Sequence, residues 1–229
     1  LAACFLIVCM AVALFAGWGG QKATPINIGA LKGPTGMGMV TLMGEEFSGK
    51  YNITIESAPD VVTGKLINGE LDIAAVPVNL ASVLYNKTKD ESGNSNIMMI
   101  AVNTLGVLYV LEDGDTVTSL ADLAGKTLYA TGQGSTPEYM LSYLLEKSGL
   151  TDSVSVEYKA EHSELATLMA SGEVKLGMLP EPNVTATMAK NENLRVALDL
   201  TEEWDKLDNG SALITGVIVA RSDFVEAHP

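Results

Sequence analysis

Apolar and polar positions group into short runs that switch between a strand period and a helix period along the chain. Residues 26–31, Ile-Asn-Ile-Gly-Ala-Leu, predict a first strand, and Ile53-Thr54-Ile55 between Asn52 and Glu56 predicts a second. Pro59-Asp60 opens a helix that ends near Asn68, where Gly69 suits a left-handed stop. Residues 71–76 are apolar enough for a buried strand, and Pro77 cannot continue a central one. Asn79 then reads as the N-cap of another helix.

The same grammar recurs. Gly69-Glu70 returns as Gly172-Glu173, Pro77 as Pro180, and Asn183 follows Pro180 much as Asn79 follows Pro77. Upstream, the strand at 26–31 and its Gly-rich loop are echoed by residues 127–130 and Thr131-Gly132-Gln133-Gly134-Ser135-Thr136. Residues 53–58 are echoed by 155–160. Matches in one order at nearly constant spacing predict two related βαβαβ units, each a small α/β unit with a mostly parallel sheet.

Between the copies, residues 97–102 and 107–112 predict strands, with Asn103-Thr104 in a turn at the edge of a cleft. Residues 87–96 are polar and predict an exposed loop. Ser135 or Thr136 is a natural N-cap, with Pro137 and Glu138 favouring a helix start directly behind Gly132 and Gly134. The backbone N–H groups of Gly134, Ser135 and Thr136 then suit an anionic or strongly polar group. Residues 195–200 and 216–221 predict further strands, the last returning to the first unit.

Composition narrows the chemistry. A net charge of −14 disfavours nucleic acid as a partner. Only Arg195 and Arg221 could offer a bidentate guanidinium. Cys4 and Cys9, the only cysteines, sit in the first apolar run, which leaves neither a disulfide framework nor a Cys metal site in the remainder. His162 and His228 are far apart and read as solvated, so no metal site is expected. The loop at residues 32–38 has neither P-loop nor dinucleotide spacing, and no cofactor is expected. Met37, Met39 and Met43 read either as a soft pocket wall or as core.

Residues 1–17 are almost unbroken apolar sequence and read as part of an export signal or anchor, and Gly19-Gly20-Gln21-Lys22 resembles a flexible tether, so that residues 1–24 form a signal or anchor segment with its tether. Leu14-Phe15-Ala16-Gly17 resembles the start of a lipoprotein processing box, but Trp18 stands where that pattern needs cysteine. An extracytoplasmic location is expected, and a lipid anchor is not supported.

The first strand with its Gly-rich loop, Gly-Glu-Leu-Asp-Ile-Ala (69–74), residues 119–127, Gly-Gln-Gly-Ser-Thr-Pro (132–137) and Pro-Glu-Pro (180–182) together resemble the solute-binding proteins of bacterial ABC importers. The similar group is the type II periplasmic-binding fold with sulfonate-, nitrate-, taurine- and thiamine-precursor-binding members. That resemblance implies an α/β, two-lobed clamp. Lobe one would hold residues 25–115 plus 212–229, and lobe two residues 116–211, with C-terminal helices beyond residue 229. It implies a small-molecule solute in the cleft, a membrane permease as partner, and a monomer. By position it implies a site at Lys32, Gly33, Pro34, Thr35, Gly36 and Met37, at Pro77 and Asn79, and at Asn103 and Thr104. From lobe two it adds Gln133, Gly134, Ser135, Thr136 and Glu181. Lys32 would supply positive charge, and Glu181 would accept hydrogen bonds from an amine or ring N–H. No catalytic residue is implied. An enzyme of menaquinone or thiamine-precursor metabolism on the same fold, or the sensing domain of a receptor, are the alternatives.

Overall fold

The computed structural model describes residues 24–229. The apolar segment with Cys4, Cys9 and Trp18 lies outside them, and so do the export and anchoring expectations. Ten strands run β1 Ile26–Leu31, β2 Tyr51–Glu56, β3 Ile73–Pro77, β4 Ile97–Leu105, β5 Leu108–Asp113, β6 Thr127–Thr131, β7 Ser155–Lys159, β8 Leu176–Pro180, β9 Leu194–Asp199 and β10 Ile214–Arg221. The helices are α1 Pro34–Met37, α2 Pro59–Ile67, α3 Val78–Lys87, α4 Thr136–Lys147, α5 His162–Ala170, α6 Asn183–Met188, α7 Leu200–Asp205 and α8 Ser222–Ala227.

Two five-stranded sheets result, ordered β2-β1-β3-β10-β4 and β7-β6-β8-β5-β9. The orders match position by position: β7, β6 and β8 are the sequence echoes of β2, β1 and β3, and the fourth place goes to a strand that has crossed from the other unit. In both sheets four strands run one way and this one runs against them: β10 is antiparallel to β3 and β4, and β5 is antiparallel to β8 and β9. Gly69 and Gly172 both take positive φ, 78° and 80°, at the ends of α2 and α5, as the repeated helix–Gly–strand grammar requires.

Each sheet is held by apolar layers on its faces. On the second, Val110, Leu128 and Met178 pack against Leu141 and Leu144 of α4, while Leu111 and Leu179 pack against Leu165 and Met169 of α5. On the first, Val76, Val217 and Val219 pack with Val62, Leu66 and Leu84. Leu66, Leu144 and Leu165 are fully buried, so truncating any one to alanine costs about 2–5 kcal/mol. Met39 joins the opposite layer with Ile28, Ala30 and Ala75, whereas Met43 is exposed. Arg195 bridges the start of the second sheet: its guanidinium donates to the Glu112 carboxylate at 2.5 Å and to the Gly114 and Val117 carbonyls.

The chain crosses between sheets twice. Asn103 and Thr104 do not form the expected turn; they lie within β4, because β10 supplies backbone partners as far as Leu105. The crossing falls at Gly106 and Val107, both at positive φ (55° and 71°). Strand β5 is therefore hydrogen-bonded into the second sheet, although the sequence grouped residues up to 115 with lobe one. The returning segment runs alongside: Gly106 N–H donates to the Leu213 carbonyl, and the Thr215 hydroxyl lies 3.3 Å from the Thr104 and Gly106 carbonyls. A side chain at Gly106 would collide with Thr201.

Candidate functional site

Parallel strands end with their carboxyl groups at one edge, and the loops that follow carry free N–H groups and side chains beyond it. Here the ends of β1, β2, β3, β6, β7 and β8 face a shared cleft of about 570 Å³, large enough for a small organic solute. Its walls are mostly apolar, with Leu31, Pro59, Pro77, Val107, Pro137 and Pro180 among them. Lys32, Glu161 and His162 are the lining side chains that can carry charge.

From the first sheet, Lys32, Gly33, Pro34, Thr35, Met37, Pro77 and Thr104 line the cleft, and so do Gln133, Gly134, Ser135 and Thr136 from the second. Four other residues singled out in the sequence do not. Gly36 lies within α1 and is buried against the end of β1, where a Cβ would stand 2.6 Å from the Leu31 carbonyl oxygen. Asn103 lies behind the wall: its amide donates to the Thr35 carbonyl at 3.1 Å, and its Oδ1 accepts from the Thr104 hydroxyl at 3.1 Å. These bonds fix the α1 turn against β4. Gly216 leaves room for them, since a Cβ there would come within 2.8 Å of Asn103 Oδ1 and 2.7 Å of Thr104 Oγ1.

Glu181 turns onto its own helix. Its carboxylate accepts from Thr185 N–H at 3.2 Å and from the Thr185 hydroxyl at 2.9 Å, satisfying donors at the start of α6. Burial raises the Tyr109 phenol pKa, and the nearby Asp199 and Glu181 carboxylates raise it further. Asn79 caps nothing. The N-cap of α3 is Pro77 and that of α6 is Pro182, because the asparagines already lie inside their helices. The Asn79 amide instead reaches across to the other sheet's loop: Oδ1 accepts from the Thr136 hydroxyl at 3.0 Å, and Nδ2 donates to the Gly134 carbonyl at 3.4 Å.

The helix starts behind Ser135 as expected, but the Ser135 hydroxyl does not cap it and donates instead to the Gly132 carbonyl at 2.7 Å. Gly132 and Gly134 hold φ of 83° and 75°, and a Cβ on Gly132 would strike Pro137. The Gly134 N–H donates to the Glu138 carboxylate at 2.5 Å, and the Ser135 N–H to the Gly132 carbonyl at 3.1 Å. Of the three N–H groups expected to face a ligand, only that of Thr136 has no partner among the described residues.

His162 is the residue that sequence reasoning missed. It is half-buried at the start of α5, lines the cleft, and places Nδ1 2.7 Å from the Thr131 hydroxyl. Burial pushes its pKa below the ordinary value, against the opposing effect of Glu161. The expectation of a solvated histidine fails because β6 and β7 pair in register, Thr131 beside Lys159, and the short loop after β7 folds the ring back onto Thr131. Thr215, on the returning crossover, is a second unforeseen lining residue. Thr131 itself is 1% exposed, so its hydroxyl cannot meet a solute. The His162–Thr131 pair is thus not an arrangement of base and accessible nucleophile. Among the described residues no cluster of potential metal ligands occurs, and no helix is long and apolar enough to cross a membrane.

Comparison with known proteins bears on this arrangement. The family model described as NMT1/THI5 like matches residues 53–229. No curated protein sequence matches the chain. Among solved structures, an ABC transporter from Parabacteroides distasonis superposes with a TM-score of 0.71 at 24% identity, covering 89% of this chain and 68% of that one. The alkanesulfonate-binding protein SsuA from Xanthomonas axonopodis pv. citri, bound to MOPS, gives 0.61 at 16% identity, covering 91% and 69%. The periplasmic aliphatic sulphonate binding protein SsuA from Escherichia coli gives 0.62 at 17% identity, covering 89% and 67%. These likenesses establish the architecture as the type II periplasmic-binding fold.

Proposed function

The chain belongs to the NMT1/THI5-like family, and from that premise we propose that it is an extracytoplasmic solute-binding protein of an ABC importer. It captures a small polar organic molecule in the inter-sheet cleft and hands it to a membrane permease. The observation that supports this most directly is the cleft itself: two repeated units present their strand ends to one cavity of about 570 Å³, clasped across its lip by the Asn79 amide.

The units divide at the crossovers, residues 24–106 with 214–229 against 107–213. On this reading Lys32, Thr35 and Thr104 contact the solute from one side, and Gln133, Ser135, Thr136 and His162 from the other. Closing and opening is a rotation about the paired crossovers at Gly106 and Leu213. Two similar structures are named for sulfonate binding, which makes alkanesulfonates the first compounds to test. Binding is expected without turnover, since the Thr131 hydroxyl beside the cleft histidine is buried where no solute reaches it as a nucleophile. Isothermal titration of the purified chain with a panel of small organic acids checks this. Saturable one-to-one binding with the compound recovered unchanged supports the reading, and conversion of any bound compound to product refutes it.

A further inference from the structure

The Thr131 hydroxyl is buried, and His162 Nδ1 is its one hydrogen-bond partner among the described residues. A buried hydroxyl proton left without an acceptor costs free energy. The one acceptor in reach is Nδ1, so Thr131 donates, Nδ1 accepts, and the ring proton is placed on Nε2. Nε2 has no partner among the described residues, yet no buried side-chain nitrogen or oxygen in them is left unsatisfied. Nε2 is therefore not sealed in, and the space His162 borders is the cleft.

Resting on the solute-binding reading above, we propose that His162 is the cleft's fixed, neutral hydrogen-bond donor, its Nε2–H held toward the solute by the Thr131 hydroxyl. A fixed donor selects for a solute that presents an acceptor oxygen (carboxylate, sulfonate or carbonyl) and against one that presents an amine at the same point. The rest of the polar lining agrees. Lys32 is a pure donor, and the Glu138 carboxylate beside the helix start is already engaged by the Gly134 N–H. Glu161 is the one lining carboxylate, and it is exposed.

The ring's tautomer is testable without any solute. The chain has only two histidines, and the second provides an internal contrast: His228 Nδ1 lies 2.9 Å from the Phe224 carbonyl, which can only accept. In a long-range ¹H–¹⁵N spectrum of the labelled protein, assigned with His228→Gln, His162 is expected as the Nε2–H form, opposite to the form that the carbonyl favours at His228. An Nδ1–H form at His162 overturns the proposal. Binding is then measured by titration calorimetry with butanesulfonate, butyrate, butyramide and butylamine on the wild type, His162→Gln and His162→Phe. The glutamine side chain keeps one acceptor for Thr131 and one donor for the cleft, whereas phenylalanine keeps neither. At least one of the three oxygen compounds is expected to bind the wild type better than butylamine. That binding should stay within about threefold in H162Q and fall about tenfold or more in H162F, the loss of one hydrogen bond to an acceptor. Equal binding by H162F and wild type overturns the donor role. If the tautomer is as stated and none of the three oxygen compounds binds, the acceptor-oxygen assignment is overturned while the solute-binding reading stands to be judged by the wider panel.

Discussion

Replacing Asn79 by alanine removes the hydrogen bonds that join the two loops across the lip of the cleft. The Thr136 hydroxyl donates to Asn79 Oδ1 at 3.0 Å in a partly buried setting, and Nδ2 reaches the Gly134 carbonyl at 3.4 Å in an exposed one. A well-formed neutral bond contributes about 0.5–1.5 kcal/mol net, and the longer, wetter one less. The clasped state should therefore lose about 1–2 kcal/mol relative to an open one, a shift of about 5–30-fold in the open-to-clasped ratio. Spin labels at Glu91→Cys and Ser148→Cys, with Cys4 and Cys9 replaced by serine, place one probe on an exposed position of each unit. Pulsed dipolar spectroscopy then reads the distance distribution directly. Asn79→Ala should move population to longer distances, and Thr136→Val should do the same. The double variant should show little beyond Asn79→Ala alone, because the bond that Thr136→Val breaks is already lost in it. Unchanged distributions in Asn79→Ala, or strictly additive shifts in the double variant, would refute the idea that this amide couples the units.

Three further outcomes follow from other parts of the fold. Glu112→Gln is expected to destabilise the protein by about 2–4 kcal/mol in urea titration, because Arg195 and the Thr116 and Val117 N–H groups all converge on that carboxylate. Burial alone would raise the Glu112 pKa, but the Thr116 and Val117 donors and Arg195 outweigh it, and the net shift is downward from 4.5. A depressed carboxylate stabilises the fold above its unfolded pKa and loses that contribution as pH falls through the folded one; the wild type's loss of melting temperature below pH 4.5 should be shallower in the variant. His162 has the same direction of shift but the other charge type: burial lowers its pKa from 6.5, so stability is undiminished above that value and declines as pH falls below it. His162→Gln should flatten that segment of the pH–stability curve, and an unchanged curve would count against a buried neutral ring. Gly106→Ala should cost about 1–3 kcal/mol in thermal unfolding, since the side chain meets Thr201 and φ is 55°.

The doubled architecture is legible in the sequence because its signals are local. A helix that stops at a glycine before an apolar run leaves the same trace wherever it occurs, and Gly69 and Gly172 carry it twice. The cleft loops are legible for the same reason, as strand ends followed by glycines. What is not legible depends on partners distant in the chain. Asn103 before Gly106 reads as a turn until β10, more than a hundred residues later, supplies its ladder. Strand β5 is equally apolar whichever sheet it joins, so hydropathy does not place it. His162 reads as solvated because nothing near it in sequence announces Thr131, which only the β6–β7 register brings alongside. Glu181 is a different case. Its partner Thr185 is four residues away, so the helix-start bond is readable in principle, but the repeat points to the flanking prolines instead.

Strand β10 fills the slot between β3 and β4 and, of the ten described strands, leaves the ribosome last. Until then the first sheet has a gap in its middle, with β3 and β4 lacking a shared neighbour, while every strand of the second sheet has already been made. Of the two described units, the one nearer the N-terminus is thus the one whose sheet closes later. A nascent chain arrested after β9 should protect the second sheet's amides from exchange and leave those of β3 and β4 open.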